Sequence, residues 1–237
     1  MRAETIVWTA DGSPATGLDY GTRLVEGLRR LGFTVRQMDL TDPADLEVPE
    51  AGLHVLTGGS TPVSTTDSWM PMGLQRVQQM IDQAHVGPTR LLGVCLGSQM
   101  IAHCLAPGCV GPGAQMRAGL APMVWRSEAG LAGPTVLPTF HYEQIVAQPL
   151  REAGAVIEAW NAQVPVLAYT HGPRIGATQL QPEFSEADLM SLIGTNRALI
   201  EQYGQPLEEV WDSIYELWNQ WTLERSLRRT VHRLLRL

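Results

Sequence analysis

Cys95 stands between two glycines in the run Leu91-Leu92-Gly93-Val94-Cys95-Leu96-Gly97-Ser98-Gln99. A short apolar strand, a cysteine at a tight bend and a helix starting at once (Met100 to Leu105) make a nucleophile elbow with sulfur in place of the serine oxygen. The bend sets the thiol at the carboxyl end of a strand and the positive end of a helix, which is expected to favour thiolate. The chemistry this suits is attack on a carbonyl and passage through a thioester. Gly58-Gly59, after another apolar run, supplies a second tight turn whose backbone N–H groups could face the same point. The other two cysteines, Cys104 and Cys109, read as buried packing.

Holding a thiol this way needs a sheet, and the first half of the chain alternates accordingly. Strands are expected at Ile6–Thr9, Thr34–Met38, Leu53–Thr57 and Arg90–Val94. Helices are expected at Gly17–Leu31, ended by Gly32, and at about Trp69–Ala84. Apolar strands separated by helical periodicity indicate an α/β fold with a doubly wound, mostly parallel sheet. Ligands bind such sheets at the carboxyl ends of the strands, where both Cys95 and Gly58-Gly59 fall. From Gly108 to about Gln179 glycine and proline punctuate short runs (Ala121–Arg126, Thr135–Phe140, Val156–Trp160, Val164–Thr170), read as an antiparallel insertion. After Pro182 the pattern is helical. Ser185-Glu186-Ala187-Asp188 reads as a cap, Leu189–Tyr203 as a helix, and Leu207 towards Leu237 as a long amphipathic helix. Residues 1–237 are thus expected to form one domain with 185–237 as a helical extension.

Composition narrows the function classes. A net charge of −7 and a pI near 5.3 argue against nucleic acid as the main partner. The cations are all arginine, which excludes Schiff-base chemistry and a lysine-dependent phosphate loop. Three cysteines in one short segment suit a reduced, cytoplasmic setting rather than a disulfide framework, and their spacing offers no paired metal ligands, so no metal or cofactor is expected. No basic-then-apolar leader opens the chain and no apolar run has membrane-spanning length. Trp211, Trp218 and Trp221 read as core or dimer-interface packing, and Arg225, Arg228, Arg229, Arg233 and Arg236 as a solvated helix face.

The chain resembles class I glutamine amidotransferases, in particular the stand-alone GMP synthase-like group with its flavodoxin-like fold. Gly93-Val94-Cys95-Leu96-Gly97-Ser98-Gln99 is close to that family's G-[VI]-C-x-G-x-Q elbow. Val55-Leu56-Thr57-Gly58-Gly59-Ser60-Thr61-Pro62 resembles its oxyanion loop, and His141-Tyr142-Glu143 its H-x-D segment. Ala177-Thr178-Gln179-Leu180-Gln181-Pro182-Glu183-Phe184 is similar to its G-x-Q-F-H-P-E-F segment. The resemblance implies that Cys95 is the nucleophile, that the N–H groups of Gly59 (beside Gly58) and Leu96 form an oxyanion hole, and that Gln99 helps hold the substrate. It implies that Glu183 takes the third triad position. Gln181 stands where the family has its catalytic histidine, and Arg117-Ala118-Gly119 stands where relatives often have E-x-G.

The family's histidine removes the thiol proton and later protonates departing ammonia. A carboxamide can hydrogen-bond but cannot carry a proton between steps. Removing a member of a cooperating triad can cost about 10⁴ to 10⁶ in rate, on the order of 5–8 kcal/mol. Glutamine hydrolysis should suffer most, and acyl donors with easier leaving groups, such as thioesters, least. His141 is the candidate surrogate base; His54, His85, His103 and His171 fall on structural positions. Three functions follow: thioester chemistry on a specialised small amide or acyl substrate, a catalytically silent protein binding a ligand or partner, and a glutaminase feeding ammonia to a separate synthetase.

Overall fold

The computed structural model describes residues 4–11, 19–44, 47–66, 68–127, 130–217 and 223–235. Four strands, β1 (Thr5–Thr9), β2 (Val35–Asp39), β3 (Leu53–Leu56) and β4 (Arg90–Val94), pair in parallel with spatial order β2-β1-β3-β4. Their connections carry helices α1 (Tyr20–Arg30) and α2 (Met70–Val86), and α3 (Leu96–Leu105) leaves β4 directly. The chain then makes a long hairpin, β5 (Val110–Ser127) and β6 (Gly130–Ile145), helix α4 (Ala147–Glu152), and strands β7 (Ala155–Trp160), β8 (Ala168–His171) and β9 (Ile175–Thr178). Helices α5 (Glu186–Thr195), α6 (Arg197–Gln202), α7 (Leu207–Leu217) and α8 (Leu223–Leu235) complete the described chain.

The nine described strands form one mixed sheet in the order β2-β1-β3-β4-β9-β8-β7-β5-β6. Successive strand residues point to opposite faces, so Leu92 and Val94 join a core with Leu24, Leu28, Val231 and Leu234. Leu91 faces the other way, towards Val77, Met80, Ile81 and Met100. Helices therefore cover both faces, as the alternating pattern requires. Helix α1 begins at Asp19, whose carboxylate accepts from the N–H groups of Gly21 and Thr22. Helix α5 begins with the capping box of Ser185 and Asp188.

Four expectations are corrected. The segment before Gln179 is not wholly antiparallel: Ile175–Thr178 pairs in parallel with β4. Its neighbour begins at Ala168 rather than Val164. The expected short runs at Ala121–Arg126 and Thr135–Phe140 belong to strands of 18 and 16 residues. Leu189–Tyr203 divides at Asn196 into α5 and α6. The long final helix is described as α7 and α8, with Trp218, Trp221 and Arg236 outside the described residues, as is the start expected for α1 at Gly17. Trp211 packs half-buried against the core. Arg228 and Arg229 are exposed, whereas Arg233 donates to the Arg126 carbonyl and lies 4.9 Å above the Trp125 ring. No described helix is long and apolar enough to cross a membrane.

The elbow depends on close backbone approach. A Cβ on Gly97 would lie 2.5 Å from Leu56 Cβ, and one on Gly93 would lie 2.7 Å from the Gly97 backbone. Overpacking of this kind costs about 1–3 kcal/mol and shifts backbone. Gly97→Ala is expected to lower the thermal midpoint by several degrees, read by calorimetry. An unchanged midpoint would mean that β3, β4 and α3 are less tightly apposed than described.

Candidate active site

Cys95 adopts φ 49° and ψ −109°, a region sparsely occupied by residues with a Cβ. The bend is held by its neighbours: Cys95 N–H donates to the Thr178 carbonyl at 2.8 Å and Gly97 N–H to the Thr57 carbonyl at 3.0 Å. Strands β3 and β9 thus pin the elbow from either side. The helix starts at Leu96 rather than Met100, and the Leu96 N–H is directed at the Cys95 sulfur. A Cβ on Gly58 would touch Cys95 Cβ at 3.6 Å, so the glycine turn abuts the nucleophile position. Together these elements open on a cleft of about 240 Å³ lined by Cys95, Gly59, Gln99 and His141, with Tyr20, Phe140, Tyr142, Leu199 and Tyr203 around them.

The sulfur lies 3.9 Å from the Phe140 carbonyl and within hydrogen-bond reach of the Gln181 side chain. Gln181, 1% exposed, makes a two-pronged bond to one residue of β6. Its Oε1 accepts from Phe140 N–H at 2.9 Å and its Nε2 donates to the Phe140 carbonyl at 3.1 Å. The carboxamide therefore completes the sheet edge beside the thiol. Glu183 is 3% exposed, and among the described residues neither of its oxygens has a hydrogen-bond partner. Burial raises its carboxyl from 4.5 to about 8, so it is largely protonated at neutral pH.

The thiol departs from the expectation of an acidified cysteine. Burial, aided by the nearby Glu183, pushes it up to about 12, and the Leu96 N–H and Gln181 amide only partly offset this. Desolvation of the anion outweighs the helix terminus. At pH 7 the thiolate fraction is about 10⁻⁵. Cys104 and Cys109 are also free and raised by burial, to about 12 and about 11.

His141 lines the cleft, as expected from its segment. Its Nδ1 lies 2.9 Å from the Glu143 carbonyl, which can only accept, so Nδ1 carries the proton and Nε2 keeps its lone pair. Nε2 is buried and has no hydrogen-bond partner among the described residues. Burial lowers the ring to about 4, so it is neutral and weakly basic. The same Glu143 carbonyl accepts from Gln99 Nε2 at 3.0 Å. The Glu143 carboxylate accepts from Val63 N–H at 2.8 Å and the Ser64 hydroxyl at 3.2 Å, tying β6 to the loop after Gly59. Arg117 turns away, donating to Gln163 at 3.1 Å and lining a separate cavity.

Three of the other histidines make contacts away from the cleft. Trp8 Nε1–H donates to His54 Nδ1, and His54 Nε2 meets Gln83. His85 and His171 contact each other at 3.1 Å at the outer ends of α2 and β8. Among the described residues no cluster of three or more side chains could hold a metal ion. Residues that the motifs did not single out are Tyr20, Asn196, Leu199 and Tyr203. Aromatic residues in the tail were visible in the sequence, but nothing local placed α6 over the cleft.

Residues 16–193 match the model for the family described as glutamine amidotransferase class-I, and the chain belongs to that family. No curated protein matches it significantly. The structure of a glutamine amidotransferase from Thermotoga maritima aligns over 99% of both chains, with TM-score 0.72 and 17% identity. A protein from Thermoplasma acidophilum described as a GMP synthase component is 22% identical, with 85% of this chain and 98% of that one covered and TM-score 0.61. A chain of PurLQS from Thermotoga maritima is 12% identical, with 84% and 99% covered and TM-score 0.56. At these identities the likeness shows the fold.

Two outcomes test this electrostatic arrangement. Between about 4.5 and about 8 the folded state holds the Glu183 proton and the unfolded chain does not, so this group's contribution to stability falls as pH rises through that window. Urea unfolding across pH 5–8 should show wild type losing stability relative to Glu183→Gln, by roughly a few kcal/mol. In the second test, iodoacetamide labelling of Cys95, followed by peptide mass mapping, should be slow at pH 9. Removal of the Glu183 charge should speed it by about threefold or more; equal rates would mean the carboxyl does not act on the thiol.

Proposed function

We propose that this chain uses Cys95 for acyl transfer through a thioester, on a specialised small amide or acyl substrate rather than free glutamine. The observation that carries the reading is the bent elbow, held by Thr57, Thr178, Gly93 and Gly97, which keeps a reactive atom type facing a cleft. In this scheme the Leu96 and Gly59 N–H groups receive the developing oxyanion. Gln99 holds the β6 backbone that frames the substrate, and Gln181 orients the sulfur. Glu183 lies beside the sulfur and His141 lines the cleft.

The chemistry must close without an imidazole carrier. With an acyl thioester, the Cys95 sulfur bonds to the acyl carbon, the carbon–sulfur bond to the leaving thiol breaks, and the Cys95 proton departs with that thiol. Water or another acceptor then takes the acyl group and returns a proton to Cys95. An amide is a poorer donor here because its nitrogen needs a proton before it leaves. A glutaminase with His141 as surrogate base fits less well. Moving the proton from a thiol near 12 to a ring near 4 lies on the order of 10 kcal/mol uphill. A partner synthetase and a homodimer are both compatible with this family reading, as is action in the cytoplasm, where free thiols persist.

The neutral thiol favours a second reading: the chain binds its ligand, or a partner enzyme, without turning it over. Intact mass spectrometry with a panel of acyl thioesters separates the two. The expected result is a mass increase equal to the acyl group on wild type and none on Cys95→Ala. Failure to trap any acyl group would leave the binding reading standing. Wild-type glutamine turnover, followed by ammonia release, is expected to be at least about 10⁴-fold below that of a histidine-bearing family enzyme.

A further inference from the structure

The loop after β3 carries Gly59, and two carboxylates from other elements hold that loop. At its far end Glu143 takes the Val63 N–H and the Ser64 hydroxyl. At its near end stands Asp11, two residues beyond the end of β1. Asp11 Oδ2 accepts from the Ser60 hydroxyl at 2.5 Å and from the Thr61 hydroxyl at 2.9 Å. The Ala10 N–H adds a third tie, donating to Thr57 Oγ1 at 3.0 Å. Ser60 and Thr61 line the cleft, yet both donate their hydroxyls to Asp11. Gly59 itself is closely surrounded. A Cβ there would lie 2.8 Å from Asp11 Oδ1 and 2.5 Å from Leu96 Cδ2. Asp11 and the Leu96 side chain therefore meet Gly59 across a space that only glycine leaves open.

We propose that Asp11 is a positioning residue for acyl transfer: through the Ser60 and Thr61 hydroxyls its carboxylate fixes the loop 59–61 and keeps the Gly59 N–H aimed at the carbonyl oxygen of a substrate at Cys95. This inference rests on the reading of Cys95 as the acyl-transfer nucleophile. A donor to a developing oxyanion is effective when it is already in place before the charge forms. Hydroxyl-to-carboxylate bonds are short and stronger than neutral ones, which suits them to holding a loop that carries no regular secondary structure. The charge of Asp11 has the wrong sign to stabilise an oxyanion directly, so its contribution is geometric. Among the described residues no cation pairs with it, and its charge is met by the loop's own donors.

Rates of Cys95 modification at pH 9, read by peptide mass mapping, test this role. Acylation by the acetyl and benzoyl thioesters of N-acetylcysteamine passes through an oxyanion. Alkylation by iodoacetamide, a displacement at saturated carbon, does not. Asp11→Ala is expected to slow acylation by about tenfold or more and to leave alkylation unchanged. Asp11→Asn keeps an oxygen that can accept from both hydroxyls and should restore most of the acylation rate. Equal acylation of wild type and Asp11→Ala would overturn the proposal. So would a matching loss of alkylation, which reports general disruption of the elbow, or an Asp11→Asn variant as slow as Asp11→Ala. If no thioester marks the wild-type chain, acyl transfer itself fails, and hydrogen exchange reads the positioning alone. Asp11→Ala should then lose amide protection across residues 57–64 and keep it across residues 91–94; unchanged protection of the loop would overturn the role of Asp11.

Discussion

The contact on which the site depends is the near-touching of three backbones around Cys95. Gly93 in β4 and Gly97 in α3 lack the Cβ atoms that would collide with each other and with Leu56. That lets α3 turn back over β3 and β4 within one residue of the strand end. The cost is concentrated at Cys95, which must take positive φ. Hydrogen bonds to the carbonyls of Thr57 and Thr178, from neighbouring parallel strands, stabilise the bend. A sharp turn with a sulfur at its apex is then a consequence of sheet order, since β4 lies between β3 and β9.

Around this apex the electrostatics have become neutral. In a cysteine triad with an imidazole, a cation beside the sulfur offsets the desolvation of the thiolate. Here a carboxamide occupies that side and spends both its polar atoms on the Phe140 backbone. With no cation to offset burial, the thiol holds its proton at neutral pH and the Glu183 carboxyl largely does so. For both groups burial is the larger cause. His141 beside them is likewise kept neutral by burial.

The tail contributes to the site and not merely to stability. Helix α8 packs across β4 and β9, with Leu234 against Gly176, and so supports the strands that lead into Cys95 and Gln181. Helix α6 and the residues flanking it bring Asn196, Leu199 and Tyr203 to the cleft. The Tyr142–Tyr203 contact joins that roof to β6, the strand that also supplies Phe140 and His141.

Local chemistry made part of this legible in the amino-acid sequence. The strand–cysteine–helix elbow, the alternating first half, the capping box at Ser185 and the glutamine at position 181 are all encoded in contiguous residues, because period, capping and tight turns act over a few positions. The same was true of the placement of His141 near the cleft, through its motif. What only the tertiary structure decided involves partners far apart in the chain. Ile175–Thr178 looked like more of an antiparallel insertion until its pairing with β4 made it the strand that pins Cys95. The helix terminus suggested an acidic thiol, whereas burial by β6, β9 and the tail raises it. A helix end acts within one turn and can be read locally, but desolvation is the sum of everything packed around a group, and only the folded chain determines that sum.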